Sequence, residues 1–141
     1  MKKLIFAIII VGVVGFLWLQ FGGEGSEHNN KDGLIVVDTP RAGAKVTSPL
    51  TVRGKARGMW FFEASFPLEL ISEDGEVIAS GIATAEGEWM TEEFVPFTAL
   101  LAFDLVEAKT RGDKVTLVLR KDNPSGLSEF DDSLEIDLSL R

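Results

Sequence analysis

Between Leu50 and Ile71 the chain reads LTVRGKARGMWFFEASFPLELI, and its side chains alternate in character. Leu50, Val52, Gly54, Ala56 and Gly58 share one parity, and Thr51, Arg53, Lys55 and Arg57 share the other. After Met59 the alternation resumes. Trp60, Phe62, Ala64, Phe66, Leu68 and Leu70 stand against Glu63, Ser65 and Glu69. Successive side chains of a strand point to opposite faces, so this period of two predicts two half-buried strands. A sheet with one apolar face must bury it against a second layer. That requirement constrains everything downstream.

The rest of the chain supplies the partners. Leu34 to Val37 reads as a first strand, and Lys45-Val46-Thr47 as a short extended piece between Pro40, Gly43 and Pro49. Pro67 lacks a ladder donor, which predicts a sheet edge or a bulge there. Glu73-Asp74-Gly75-Glu76 is a turn, and Val77 to Thr84 is the returning strand of a hairpin. Glu86-Gly87-Glu88 is another turn, followed by an irregular connection over Trp89 to Glu93. Phe94 to Phe103 reads as a strand, with Phe97, Ala99, Leu101 and Phe103 on one parity. A helix over Thr98 to Ala108 is the alternative, because its alanines and leucines favour one. Val115, Leu117 and Leu119 alternate on a further strand, and Leu134, Ile136, Leu138 and Leu140 on the last. About seven short strands with turns between them predict an all-β fold, an immunoglobulin-like β-sandwich over residues 34–141. Trp60 has the core parity of its strand.

Leu4 to Leu19 are sixteen uninterrupted apolar or glycine residues behind Lys2 and Lys3. Extended to Phe21, the run spans about 27 Å as a helix, close to the ~30 Å of a hydrocarbon core. It predicts a transmembrane helix over residues 4–21 with the N-terminus inside and the domain exported. The rival reading is a cleaved signal segment, which exports the domain equally. Residues 22–33, GGEGSEHNNKDG, read as a flexible linker with a mean reach of roughly 20 Å. The predicted location is the outer side of the cytoplasmic membrane.

Chemistry is sparse. The chain has no Cys and one His, His28, which falls in the linker, so no thiol nucleophile, thiolate metal site or histidine triad is predicted. Beyond Lys2 and Lys3 there are 12 basic residues against 22 acidic ones, which speaks against nucleic acid. No catalytic residue, metal ligand or cofactor is assigned. Arg53, Lys55 and Arg57 form a basic stripe. It reads either as a contact for an anionic envelope polymer or lipid headgroups, or as a ladder facing Glu or Asp on a neighbouring strand. Glu63, inside the densest apolar stretch, reads as a paired carboxylate fixing register with Arg53 or Arg57, rather than as a general base. Phe61 has the outward parity, and with Trp89 and Met90 it would make a partner-binding patch if all three were exposed. Core packing is the competing fate for these three. Asp122, Asn123, Asp131 and Asp132 resemble a Ca²⁺ loop only in composition, and Arg111-Gly112-Asp113 reads as a plain turn.

An ordered series of short motifs resembles the immunoglobulin-like domain of bacterial spore germination proteins. It runs through Asp38-Thr39-Pro40, Gly43, Val46, Ser48-Pro49-Leu50, Val52, Gly54 and Ala56. It continues through Trp60-Phe61-Phe62-Glu63-Ala64, Phe66-Pro67-Leu68 and Asp74-Gly75. Gly87-Glu88-Trp89-Met90-Thr91-Glu92, Phe94-Val95-Pro96-Phe97 and Asn123-Pro124-Ser125-Gly126 complete it. The resemblance implies a β-sandwich module of exported or envelope proteins with no enzymatic role attached. The expected function is therefore non-catalytic binding, with an envelope protein as partner. The alternatives are a carbohydrate- or wall-polymer-binding module, in which Trp60 or Trp89 would stack on sugar rings, and an accessory to germination.

Overall fold

A computed structural model describes residues 29–141. The predicted membrane helix over 4–21, His28 and the linker up to that residue lie outside the described residues. Among the described residues no helix is long and apolar enough to cross a membrane.

The fold is all-β. Nine strands follow in order: β1 (Asn30–Lys31), β2 (Ile35–Thr39), β3 (Lys45–Val46), β4 (Leu50–Arg57), β5 (Ser65–Ser72), β6 (Val77–Ala85), β7 (Phe94–Leu101), β8 (Lys114–Arg120) and β9 (Ser133–Leu140). They form one curled sheet with the order β1-β2-β4-β7-β6-β5-β8-β9-β3. The curl has a physical origin at β6 and β7, which pair only through Thr84–Thr98 and Ala85–Phe97. With so short a seam, the sheet folds into two facing layers. Strands β2, β4 and β7 form one, and β6, β5, β8 and β9 the other. The chain changes layer after β2, so that β3 pairs in parallel with β9. This arrangement accords with an immunoglobulin-like fold.

The predicted alternation fixes which residues meet between the layers. Leu50, Val52 and Ala56 of β4 and Phe66, Leu68 and Leu70 of β5 all belong to one buried cluster. Phe66 is the centre of it. Its ring stands 4.9 Å from that of Phe97, 5.3 Å from Phe61 and 6.5 Å from Trp60. Trp60 is fully buried, and its indole N–H finds no acceptor among the described residues. Gly54 is the small residue opposite the large one. A Cβ there would lie 2.1 Å from the Val36 carbonyl oxygen and 2.9 Å from Phe97 Cζ.

Four expectations change in detail. The second alternating run is not one strand from Trp60. Gly58–Trp60 is a 3₁₀ turn, and β5 starts at Ser65. Pro67 is not on an edge strand, since β5 pairs on both sides, but the ladder to β8 opens only at Leu68. The stretch from Thr98 to Ala108 divides: β7 stops at Leu101, and a short helix α1 (Leu105–Lys109) follows. Asp104 caps α1 by accepting from the Glu107 N–H at 3.0 Å, an arrangement the preceding strand cannot use. The fourth is at the start of the domain. Asn29 is only 2% exposed. Its amide donates to the carbonyls of Val37 at 3.1 Å and Pro40 at 3.0 Å, and its oxygen accepts from the Ala42 N–H at 2.8 Å. Residues 29–33, expected as linker, therefore belong to the fold and brace the crossing from β2 to β3.

The β5–β6 turn is held by Asp74. Its carboxylate accepts from the Ser72 hydroxyl, from the Glu76 N–H at 3.3 Å and from Arg111 at 3.0 Å. The Ser72 hydroxyl first, then the Glu76 backbone, holds the Asp74 pKa below the usual carboxylate value.

Two outcomes are expected in urea titrations. Asn29→Ala strands three backbone groups and should destabilise the domain by about 1–3 kcal/mol; an unchanged midpoint would show that residue 29 is dispensable. Asp74 has a depressed folded pKa, so its contribution is present above the unfolded carboxylate pKa and disappears as pH falls through the lower folded value. Stability should therefore fall in that acidic window, and Asp74→Asn should flatten this part of the profile.

Candidate functional site

Three connections converge at one end of the domain. The first follows β4 and contains the 3₁₀ turn Gly58–Trp60 and the stretch to Ala64. The second joins β6 to β7 over residues 86–93, and the third joins β8 to β9 over 121–132. Backbone contacts tie them together. Gly58 lies so close to the second loop that a Cβ would meet the Thr91 oxygen at 1.9 Å and the Trp89 oxygen at 2.2 Å. Asp122 of the third donates its N–H to the Trp60 carbonyl at 3.0 Å.

This packing decides which aromatic residues reach solvent. A 3₁₀ turn advances three residues per turn and breaks a count of two. Phe61 therefore falls inward, 3% exposed, and leaves the predicted patch. Phe62 falls outward at 40%, and its ring meets that of Trp89 edge-on at 6.5 Å. Trp89 is half-buried against the core. Met59 and Met90 are 58% and 73% exposed. The apolar surface at this end is thus Met59, Phe62, Trp89 and Met90, with Leu127 and Phe130 exposed on the third connection; of the first four the sequence pattern identifies only the last two. Glu63 and Ala64 complete the turn in the left-handed region, with φ of 49° and 63°. Such conformations cost of order 1–3 kcal/mol for a residue with a side chain. Here the turn is held by the Phe62–Ser65 bridge and by the Ala85 N–H bonding the Ala64 carbonyl at 2.8 Å. Glu63 is exposed and enters no ion pair among the described residues, so it does not fix register with Arg53 or Arg57.

The basic stripe divides into two parts. Arg57 is built into the scaffold. Its guanidinium stacks on the Phe94 ring at 3.8 Å, and its Nε and Nη1 donate to the carbonyls of Gly33 at 3.2 Å and Glu92 at 3.4 Å. Glu93 adds a long ion pair at 3.9 Å. Lys55 passes 5.0 Å from the same ring. The expected ladder of facing carboxylates is missing. Arg53 stands between Thr39 and Thr98, and Lys55 between Val36 and Pro96.

The remaining candidates are braces. Asn123 donates to the Leu127 carbonyl and to Asp131, both at 2.8 Å, and Asp132 pairs with Lys31 at 3.2 Å. Among the described residues no group of three His, Cys, Asp or Glu could hold a metal ion. Arg111 of the Arg-Gly-Asp tripeptide is engaged with Asp74. A shallow groove of about 430 Å³ lies over β8 and β9, with Glu73, Lys114 and Asp137 on its walls. The Asp137 carboxylate accepts from the Thr116 hydroxyl at 3.3 Å.

A family model, the Gmad2 immunoglobulin-like domain of bacterial spore germination, matches residues 34–128. No curated protein and no solved structure matches the chain.

The division of the stripe has a measurable consequence. Arg57→Gln removes the ring contact and two backbone bonds, and should destabilise the domain by about 1–2 kcal/mol. Lys55→Gln should stay within about 0.5 kcal/mol of the parent. Equal losses would mean that Arg57 is no more structural than its neighbour.

Proposed function

The chain belongs to the Gmad2 family of immunoglobulin-like domains of bacterial spore germination, and on that premise we propose that it is a non-catalytic interaction module of the cell envelope. In this reading the domain is a β-sandwich displayed outside the cytoplasmic membrane. The apolar run over residues 4–21 anchors it, or is cleaved after export. The partner is another envelope protein, bound at the loop end through Met59, Phe62, Trp89 and Met90.

The observation that carries the reading is that Met59, Phe62 and Met90 are exposed at one end beside a half-buried Trp89. Scattered apolar residues are normal on a surface, whereas a contiguous group marks a contact. Two backbone features position them. Gly58 is wedged under the carbonyls of Trp89 and Thr91, and Phe62 leads into two left-handed residues. A rigid aromatic and methionine-rich surface binds with little loss of conformational freedom. Glu63, Glu88 and Glu92 surround it and are exposed, which favours a partner with a basic rim.

Sugar stacking has less support, because Trp60 is fully buried and Trp89 already meets the edge of Phe62. A germination role remains the third reading; it rests on the family alone.

The test is site-specific photocrosslinking in cells. A crosslinker at position 90 should give a discrete protein adduct, and one at position 82, where Ile82 is 58% exposed on β6, should give none. Phe62→Glu should abolish the adduct without shifting the thermal transition, since that ring is partly in solvent. Adducts of equal yield at both positions, or none at 90, would sink the loop-end reading. Phe61→Ser serves as the buried control and should unfold the domain.

A further inference from the structure

The outer face of β4 carries the second unexplained surface, independent of the loop end. In an acidic protein a row of cations would ordinarily face carboxylates on the neighbouring strands. The four positions beside Arg53 and Lys55 are Thr39, Thr98, Val36 and Pro96. Asp38 is the extra residue of the bulge between Val37 and Thr39. Glu86 bonds the Thr98 hydroxyl instead. Among the described residues, neither Arg53 nor Lys55 takes part in an ion pair. Both side chains are exposed. The sheet thus holds two exposed cations in an acidic domain with no ion pair to either among the described residues.

We propose that this face binds a linear, phosphate-bearing polyanion, with Arg53 and Lys55 each engaging one phosphate. Residues two apart on a strand lie about 6.7 Å from one another, a span that one linear phosphate chain bridges, so both cations can engage a single molecule. Arg53 offers a planar fork to one phosphate, and Lys55 a point charge to another further along the chain. The row ends at Arg57, whose guanidinium is already committed to Gly33, Glu92 and Phe94. The hydroxyls of Thr39, Thr51 and Thr98 flank the row on the same face. A narrow chain fits this surface better than a lipid layer does. A chain follows the row alone, whereas a plane of headgroups laid on the face would also meet the carboxylates of Asp38, Glu86 and Glu93.

The experiment is calorimetric titration of the full-length protein in neutral detergent with two probes, linear inorganic polyphosphate and dihexanoyl phosphatidylglycerol. Polyphosphate should bind and weaken roughly 25-fold per tenfold rise in salt, as two contacts at about 0.7 counterions each require. Arg53→Gln/Lys55→Gln should weaken binding at least about tenfold with an unchanged thermal transition. Lys45→Gln/Lys114→Gln, which removes the same charge elsewhere, should leave it intact. The proposal is overturned if the parent does not bind polyphosphate, or if the two double variants lose equally, which would be general charge attraction. It is also overturned if the lipid headgroup binds through Arg53 and Lys55 while polyphosphate does not.

Discussion

Phe66 is the side chain on which the two layers close. It leaves β5, touches Phe97 on β7 across the interior, and supports Trp60 and Phe61 from below. Edge-on aromatic pairs of this kind add to the area they bury. The arrangement needs a vacancy on the facing strand, and Gly54 provides it. With any side chain at that position the Val36 carbonyl and the Phe97 ring could not both stay where they are. One glycine and four rings therefore make the centre of the core. The weak seam between β6 and β7 allows the sheet to curl around them.

The surface follows from the same contacts. Trp60 and Phe61 are drawn inward onto Phe66, so the chain between β4 and β5 must turn sharply and expose Met59 and Phe62 on its outer side. The turn gives Gly58 a close approach to the loop carrying Trp89 and Met90, which brings residues distant in sequence to one end. Arg57 then ties that loop to Gly33 at the start of the domain. A core of aromatic residues and a contact surface of aromatic residues are thus two sides of one short segment. Immunoglobulin-like domains carry their variable contacts on loops held by a rigid sandwich, and the proposed function assigns the same division of labour to this domain.

Charge is distributed to match. Five cations serve as braces: Arg57 on Phe94, Arg111 on Asp74, Arg120 on Glu69 at 3.1 Å, Lys31 on Asp132 and Lys109 on Asp113. Exposed pairs of this kind contribute little to stability individually, with a median near 0–1 kcal/mol. Their effect is to fix where loops sit. Arg53 and Lys55 stand two residues apart on one strand face with no ion pair to either among the described residues, and on that juxtaposition the proposed ligand surface of β4 rests.

The alternation of side chains was sufficient to place the strands. Leu134 to Leu140, Val115 to Leu119 and Leu50 to Ala56 are buried on the predicted parity, because a strand's two-residue period is a local property of the backbone. Turn residues such as Asp74 and Gly75 marked the hairpin for the same reason. The family resemblance, carried by short motifs in order, was likewise legible in the chain. The fates of Phe61 and Phe62 were not. Their parity inverts because three residues of 3₁₀ turn intervene, and that turn delivers Trp60 and Phe61 to Phe66. Asn29 looked like linker in a polar stretch, since its three partners lie 8 to 13 residues away. The neighbours of Arg53 and Lys55 also depended on which strands meet. Sequence determined the strands and their inner faces, which are local; tertiary structure decided the contact surfaces, which depend on what each exposed residue is placed beside.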